Sequence, residues 1–124
     1  MKNPPSITDT EWQIMQVLWA NPSLSAGEIC QVLQKDDPSW HPKTAHTLIT
    51  RLVKKGAVGF VSRGRTYFYH ALFTAKECAD QASKSFLDRV FGGSLQPMLA
   101  HFVENRKLST KDIQELKKIL EGKK

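Results

Sequence analysis

Acidic residues are missing from the middle of this sequence. Residues 41–70 contain no Asp and no Glu, although the same stretch holds six basic residues: Lys43, Arg51, Lys54, Lys55, Arg63 and Arg65. The first 72 residues carry eight basic and five acidic groups, and all five acids lie at or before Asp37. Positive charge is therefore concentrated in the second half of this segment, as a surface that faces phosphates requires.

Other absences exclude whole classes of function. No apolar run approaches the ~18–20 residues needed to cross a bilayer, so we expect no membrane insertion. The only two cysteines, Cys30 and Cys78, lie far apart and outside any CxxC motif. They are expected to be reduced, buried thiols in a cytoplasmic protein. The histidines lack the i,i+3 or i,i+4 spacing of zinc ligands, so neither a metal site nor a cofactor is predicted.

An enzyme is also not expected. Asp36-Asp37 is the only adjacent acidic pair and falls in a predicted loop, whereas nucleases need clustered carboxylates to hold metal ions. The sequence has no nucleophile motif and no glycine-rich loop that could cradle a phosphate.

Local motifs predict three helices in the first 55 residues. Thr8 with Glu11 and Ser25 with Glu28 have the spacing of capping boxes, which start helices. The first helix should run to about Ala20, before Asn-Pro, and the second should end at Asp36-Asp37-Pro38. A third helix is predicted over residues 42–55, with Pro42 in its first turn and Gly56 at its end.

The third helix has two chemically different faces. At 100° per residue, Ala45, Leu48, Ile49, Leu52 and Val53 form one apolar stripe. The opposite face spans about 120° and carries short hydroxyls and cations: Lys43, Thr44, Thr47, Thr50, Arg51 and Lys54. Short polar side chains flanked by cations allow a helix to approach base edges in a major groove. A merely solvated face would usually include Glu or Asp, so the pattern favours DNA contact.

A hairpin is predicted directly after this helix. The β-rich segments 57–61 and 66–71 flank the turn Ser62-Arg63-Gly64-Arg65. Tyr67 and Tyr69 should share one face of the second strand, with Phe68 on the other. Arg63, Arg65 and Tyr67 are therefore candidate DNA contacts at the tip, against the alternative of a surface hairpin with solubilising arginines. The predicted fold is mainly α with a small β wing: a winged helix-turn-helix domain in residues 1–72.

The last third, residues 73–124, is predicted to be a three-helix dimerisation domain. Three short helices carry more large apolar residues than they can bury among themselves. The simplest partner that could bury the remaining apolar surface is a second copy of the chain. The residues predicted to form this contact are Phe86, Val90, Leu95, Leu99, Phe102, Ile113, Leu116 and Leu120.

The assembled pattern resembles the penicillinase repressor family of bacterial regulators, the BlaI/MecI/CopY group. The matching stretches are Ile7-Thr8-Asp9-Thr10-Glu11 with Met15, Val17-Leu18-Trp19, Trp40-His41-Pro42-Lys43-Thr44, Thr47-Leu48-Ile49, Arg51 through Ala57, Gly64-Arg65, Tyr67-Phe68-Tyr69, Phe86-Leu87, Phe102-Val103-Glu104, Leu108-Ser109 with Ile113, Glu115-Leu116 and Ile119-Leu120. His41 stands where the family more commonly has Ser, and His46 is also unusual for the family.

The resemblance implies a homodimeric transcriptional repressor bound to a dyad-symmetric operator with half-sites related to TACA and TGTA. Lys43, Thr44, Thr47 and Arg51 would make most of the DNA contacts. It also implies relief of repression by proteolysis in the C-terminal domain, downstream of a membrane metalloprotease sensor of β-lactams. His101-Phe102 stands at the position of the family's Asn-Phe cleavage bond, and the tail lacks the cysteine box of the copper-responsive branch. The alternative is a winged-helix adaptor that binds only proteins.

Overall fold

The computed structural model describes residues 3–122, which contain six α-helices and three β-strands. The chain divides into two compact units, Met1–Ser83 and Lys84–Lys124. The helices are α1 (Asp9–Ala20), α2 (Ala26–Asp36), α3 (Pro42–Lys55), α4 (Ala75–Phe91), α5 (Leu95–Glu104) and α6 (Thr110–Glu121). The strands are β1 (Leu24–Ser25), β2 (Val58–Arg63) and β3 (Thr66–Ala71). This mainly helical fold with a small sheet confirms the predicted fold class.

Local sequence fixes the helix ends as predicted. Both capping boxes form: Thr8 with Glu11 at the start of α1 and Ser25 with Glu28 at the start of α2. The third helix begins at Pro42, and Gly56 ends it with a φ of 85°, a left-handed conformation that glycine adopts without a Cβ clash.

The sheet is antiparallel with the order β1-β3-β2. Pairing between β2 and β3 continues to Arg63 opposite Thr66, so the turn consists only of Gly64 and Arg65. The predicted first strand, 57–61, was therefore misplaced at its end, and Ser62 and Arg63 belong to β2 rather than to the turn. Gly64 has a φ of 64°, which permits this tight two-residue connection. Strand β1 was not predicted, because its two residues are defined only by pairing with β3.

The core of the first unit lies between α1, α2, α3 and the sheet. Ile14, Met15, Ile29, Ile49 and Leu52 are fully buried in it. Each lies on an apolar helix stripe, so hydrophobic burial fixes which way the three helices face. The opposite face of α3 is thereby turned outward.

Both cysteines lie in this core as unpaired thiols, which confirms their predicted burial. Burial raises the pKa of the Cys78 thiol, and the neighbouring Glu77 carboxylate adds to the effect. Cys78 is on the first turn of α4, so the first compact unit extends past residue 72. The indole Nε1 of Trp19 donates to the carbonyl of Phe73 at 2.9 Å, which fastens α1 to the segment before α4.

The second unit contains the end of α4 with α5 and α6. None of the described residues from 84 to 122 is buried. Ser109 and Asp112 form a capping box at α6, whereas Ser94 precedes α5 and makes no side-chain cap among the described residues. Within residues 3–122, no helix combines the length and the apolar character needed to cross a membrane.

Candidate nucleic-acid interface

Helix α3 presents a polar surface because its apolar side is buried. Ala45, Leu48, Ile49 and Leu52 all pack into the core. All six side chains predicted to contact DNA from this helix are exposed: Lys43, Thr44, Thr47, Thr50, Arg51 and Lys54. The predicted face is thus brought together on one side of the helix, and below it is called the α3 polar face.

Two open cavities border the centre of the α3 polar face. One, of about 350 Å³, is lined by His46, Thr47, Thr50, Arg51 and Lys54. The other, of about 360 Å³, is lined by His41, Lys43, Thr44, Thr47, Leu48 and Arg51. Thr47 and Arg51 lie on both, so these two side chains form the ridge between the hollows.

The threonine hydroxyls have a defined hydrogen-bonding state. Thr47 Oγ1 donates to the carbonyl of Lys43 and Thr50 Oγ1 donates to the carbonyl of His46, each at 2.9 Å. Each hydroxyl proton is therefore used within the helix, and the oxygen lone pairs and the methyl group remain available. Such groups can accept from amino groups of bases and can contact a thymine methyl.

The start of α3 depends on a histidine. His41 is the N-cap residue, and its Nδ1 accepts from the Lys43 amide N–H at 3.1 Å. An accepting Nδ1 carries no proton, so this hydrogen bond requires the tautomer of neutral His41 with its proton on Nε2. The imidazole performs the role that a serine or threonine hydroxyl usually has at this position.

A buried acid lies beneath the end of α3, and its burial was not predicted from the sequence. The Glu11 side chain is 0% exposed, and its Oε1 accepts from Lys55 Nζ at 2.6 Å. Its Oε2 lies 4.0 Å from Nε of Arg51. Lys55 Nζ also donates to the carbonyl of Ser6 at 2.9 Å. The Lys55 ammonium is thus bound by Glu11 and Ser6, although the side chain is still 28% exposed.

The environment of Glu11 shifts its titration. Burial acts to raise the pKa of the carboxyl, but hydrogen bonds from Lys55 and Thr8 and the charge of Lys55 outweigh it, so the pKa is lowered. The burial of Glu11 could have been predicted from its spacing, because it shares a helix face with Met15 and Leu18. It was not predicted, because the capping box with Thr8 already explained an acid at this position.

The hairpin of β2 and β3 separates its three candidate side chains. Arg65 lies exposed in the turn, whereas the guanidinium of Arg63 lies over the ring of Phe68, 5.6 Å from its centroid. Tyr67 is 51% exposed on the other face and packs against Phe60, with ring centroids 4.7 Å apart. Within residues 3–122, Arg65 is therefore the wing cation without a contact to an aromatic ring.

The predicted dimerisation residues all lie on α4, α5 and α6. Phe86, Val90, Leu95 and Leu120 are exposed, at 38%, 54%, 52% and 66% respectively. The others, Leu99, Phe102, Ile113 and Leu116, are half-buried. The candidate cleavage pair lies within α5, with His101 exposed and Phe102 half-buried. In the described part of the chain, no three His, Cys, Asp or Glu residues are grouped as metal ligands.

Comparison with known proteins gives matches over nearly the whole chain. The penicillinase repressor family matches residues 7–122. The penicillinase repressor of Bacillus licheniformis is 38% identical over 121 residues, covering 98% of this chain and 94% of that protein. The methicillin resistance regulatory protein MecI of Staphylococcus aureus (strain N315) is 34% identical over 117 residues, covering 94% of each chain.

A solved structure matches part of the chain. It is the solution structure of monomeric Bacillus licheniformis BlaI in complex with the blaP half-operator. The match has a TM-score of 0.53 at 35% identity, and it covers 62% of this chain and 93% of that one.

Proposed function

Since this chain belongs to the penicillinase repressor family, we propose that it is a DNA-binding transcriptional repressor and not an enzyme. The observation that carries the proposal is the α3 polar face, which is exposed, rich in hydroxyls and cations, and free of acidic residues. The related BlaI has been solved on a half-operator, so double-stranded DNA is the partner that family membership supports. The compartment we propose is the cytoplasm, where operator DNA is found.

The α3 polar face would enter the major groove. Thr44, Thr47 and Thr50 are short enough to let the helix approach base edges, and their oxygens and methyl groups would contact the bases. Lys43, Arg51 and Lys54 would contact phosphates or guanine. Arg65, in the turn of the hairpin, would contact the backbone beside the groove, with Arg63 and Tyr67 along the strands behind it.

The binding unit we propose is a homodimer on a dyad operator. Its dimer contact would be the apolar surface of the C-terminal helices, where residues such as Val90, Leu95 and Leu120 are about half exposed or more. Exposed apolar surface of this kind is normally covered by a partner, and a second copy supplies a matching surface by symmetry. Two α3 helices would then enter major grooves about one helical turn, ~10 bp, or a small multiple apart.

Relief of repression by a membrane metalloprotease sensor is the regulatory part of the proposal. Cleavage at His101-Phe102 would separate the DNA-binding part from four of the eight predicted dimer-contact residues, so that each half-site would be bound without avidity. The bond lies inside α5, which must unwind locally to enter a protease. N-terminal sequencing of fragments, after co-expression with a sensor encoded beside this gene, should give Phe-Val-Glu. A stable, uncut chain under induction would reject this step.

Arg51→Ala tests DNA recognition against the adaptor alternative. We expect operator affinity to fall about tenfold or more, because one good arginine–base or arginine–phosphate contact contributes about 1–3 kcal/mol. Sedimentation should show dimerisation unchanged. An unaltered affinity for DNA, or no binding to any duplex at low salt, would favour a protein-binding adaptor.

A further inference from the structure

Glu11 is the one fully buried charged side chain among residues 3–122, and it lies beside Arg51 and Lys55 near the end of α3. Its Oε1 accepts two hydrogen bonds, from the Thr8 amide at 2.9 Å and from Lys55 Nζ at 2.6 Å. Its Oε2 is buried and has no hydrogen-bond partner in the described part of the chain. The cation near that oxygen is Arg51, whose Nε is 4.0 Å away.

The capping role of Glu11 does not require this burial. Glu28 forms the same capping box with Ser25 and remains exposed at the surface. Burying a carboxylate is costly unless cations and donors compensate it. At Glu11 the compensation comes from hydrogen bonds with Lys55 and Thr8, and Arg51 lies nearby at 4.0 Å. The ion pair between Glu11 and Lys55 therefore links the beginning of α1 to the end of α3.

The contact with Arg51 has a directional consequence. Glu11 approaches the guanidinium from its Nε side, while the Arg51 side chain remains 53% exposed. The two terminal nitrogens, Nη1 and Nη2, are the donors that an arginine presents to a base edge or a phosphate. An acid at this distance would favour side-chain orientations that keep Nε facing it, and such a preference before DNA arrives would reduce the ordering cost of binding.

We propose that Glu11 is a positioning residue for DNA recognition, which orients Arg51 from beneath. The inference rests on the proposed function, because it concerns how the α3 polar face discriminates between sequences. A different role for the same acid is an electrostatic brake. An acid under a cationic face would then weaken binding to all DNA equally. The two roles predict opposite results when the charge is removed.

Glu11→Gln separates these roles, with Glu28→Gln as the matched control from an exposed capping box. The probes are the duplex that the wild-type chain selects from a random pool and a scrambled duplex of equal length. Affinities are measured at a temperature where circular dichroism shows every variant fully folded. We expect the ratio of selected to scrambled affinity to fall at least about fivefold for Glu11→Gln. The ratio should stay at the wild-type value for Glu28→Gln.

Coupling to Arg51 is measured with a double-mutant cycle. In an Arg51→Ala background, Glu11→Gln should change the affinity ratio no further, because its effect passes through that side chain. If Glu11→Gln instead raises affinity for both duplexes equally, Glu11 is a brake and the proposal is overturned. An unchanged ratio also overturns it.

A second variant covers the case in which Glu11→Gln does not fold. Replacing both partners, Glu11→Met with Lys55→Met, keeps the bulk and removes the ion pair, a change that is often neutral for stability. The same loss of discrimination is expected, and an undiminished ratio would refute the positioning role. If the wild-type chain selects no sequence, the proposed function itself fails, a result distinct from the failure of this inference.

Discussion

Two cations one turn apart on α3 have different environments. Lys55 Nζ lies 2.6 Å from Oε1 of the buried Glu11 carboxylate. The Nε of Arg51 lies 4.0 Å from Oε2 of the same carboxylate, and the Arg51 side chain remains half exposed. Counting basic residues in the sequence treats them alike. The predicted DNA contacts did not include Lys55. In the structure its ammonium binds Glu11, whereas Lys43, Arg51 and Lys54 are exposed on α3.

The ion pair at Glu11 predicts a pH dependence of stability. Its pKa is lowered in the folded state from the ordinary value of 4.5. A lowered folded pKa contributes stability that is present above the unfolded pKa and lost as pH falls through the folded one. The difference in unfolding free energy between wild type and Glu11→Gln should therefore be largest near neutral pH and shrink below pH 4.5.

Urea denaturation of both proteins from neutral to acidic pH measures this difference. Glu11→Gln retains an acceptor for the Thr8 amide, so the comparison isolates the charge from the cap. A difference that stays constant across the acid range would show that the Glu11 charge adds nothing to stability.

At the scale of elements, the helix ends are encoded locally. The cap of α3 is the unusual one, because an imidazole nitrogen accepts the Lys43 amide. His41→Ala removes that acceptor and should lower the free energy of unfolding by about 1 kcal/mol. His41→Ser restores a good cap and should retain the wild-type value. Thermal or urea unfolding measures both, and equal stability of all three proteins would mean that the cap contributes nothing.

The hairpin is the second element with a testable role. Arg65 lies in its turn and is exposed, so we expect it to release counterions from DNA on binding. Arg65→Ala should make the plot of log affinity against log salt less steep by about 0.9 for each phosphate that the variant no longer neutralises. Arg89→Ala, an exposed arginine on α4, is the control and should leave the slope unchanged. An unchanged slope for Arg65→Ala would remove the turn from the interface.

At the scale of the whole molecule, the buried core and the larger group of exposed apolar side chains belong to different compact units. The first unit buries a full core and exposes cations on α3, whereas the described residues of the second unit include none that is buried. Exposed apolar side chains in the second unit would favour dimerisation through that unit. A dimer would present two copies of the α3 polar face, which would increase its affinity for a dyad site.

Leu120 offers a test of pairing. It is 66% exposed on α6, so Leu120→Glu should fold but place a charge in the proposed dimer contact. We expect sedimentation equilibrium to show a shift toward monomer and a matching loss of operator affinity. Gln114→Glu adds the same charge at an exposed polar position of α6 and should remain dimeric. A Leu120→Glu protein that dimerises like wild type would exclude this surface.

The sequence alone determined the features that depend on neighbouring residues. Capping boxes at Thr8 and Ser25, the bounds of α3 and the separation of its two faces follow from local hydrogen bonding and from a 3.6-residue period. The wing was predicted as a hairpin, although its turn proved shorter than expected. The family resemblance was confirmed by the match over residues 7–122.

Only the tertiary structure decided features that join distant segments. Strand β1 is defined only by its pairing with β3. Cys78 lies in the first turn of α4, yet it packs into the core of the first unit. Glu11 and Lys55 are brought together across 44 positions of sequence. Local patterns carry no information about such partners, because burial energy depends on what the folded chain places opposite each side chain.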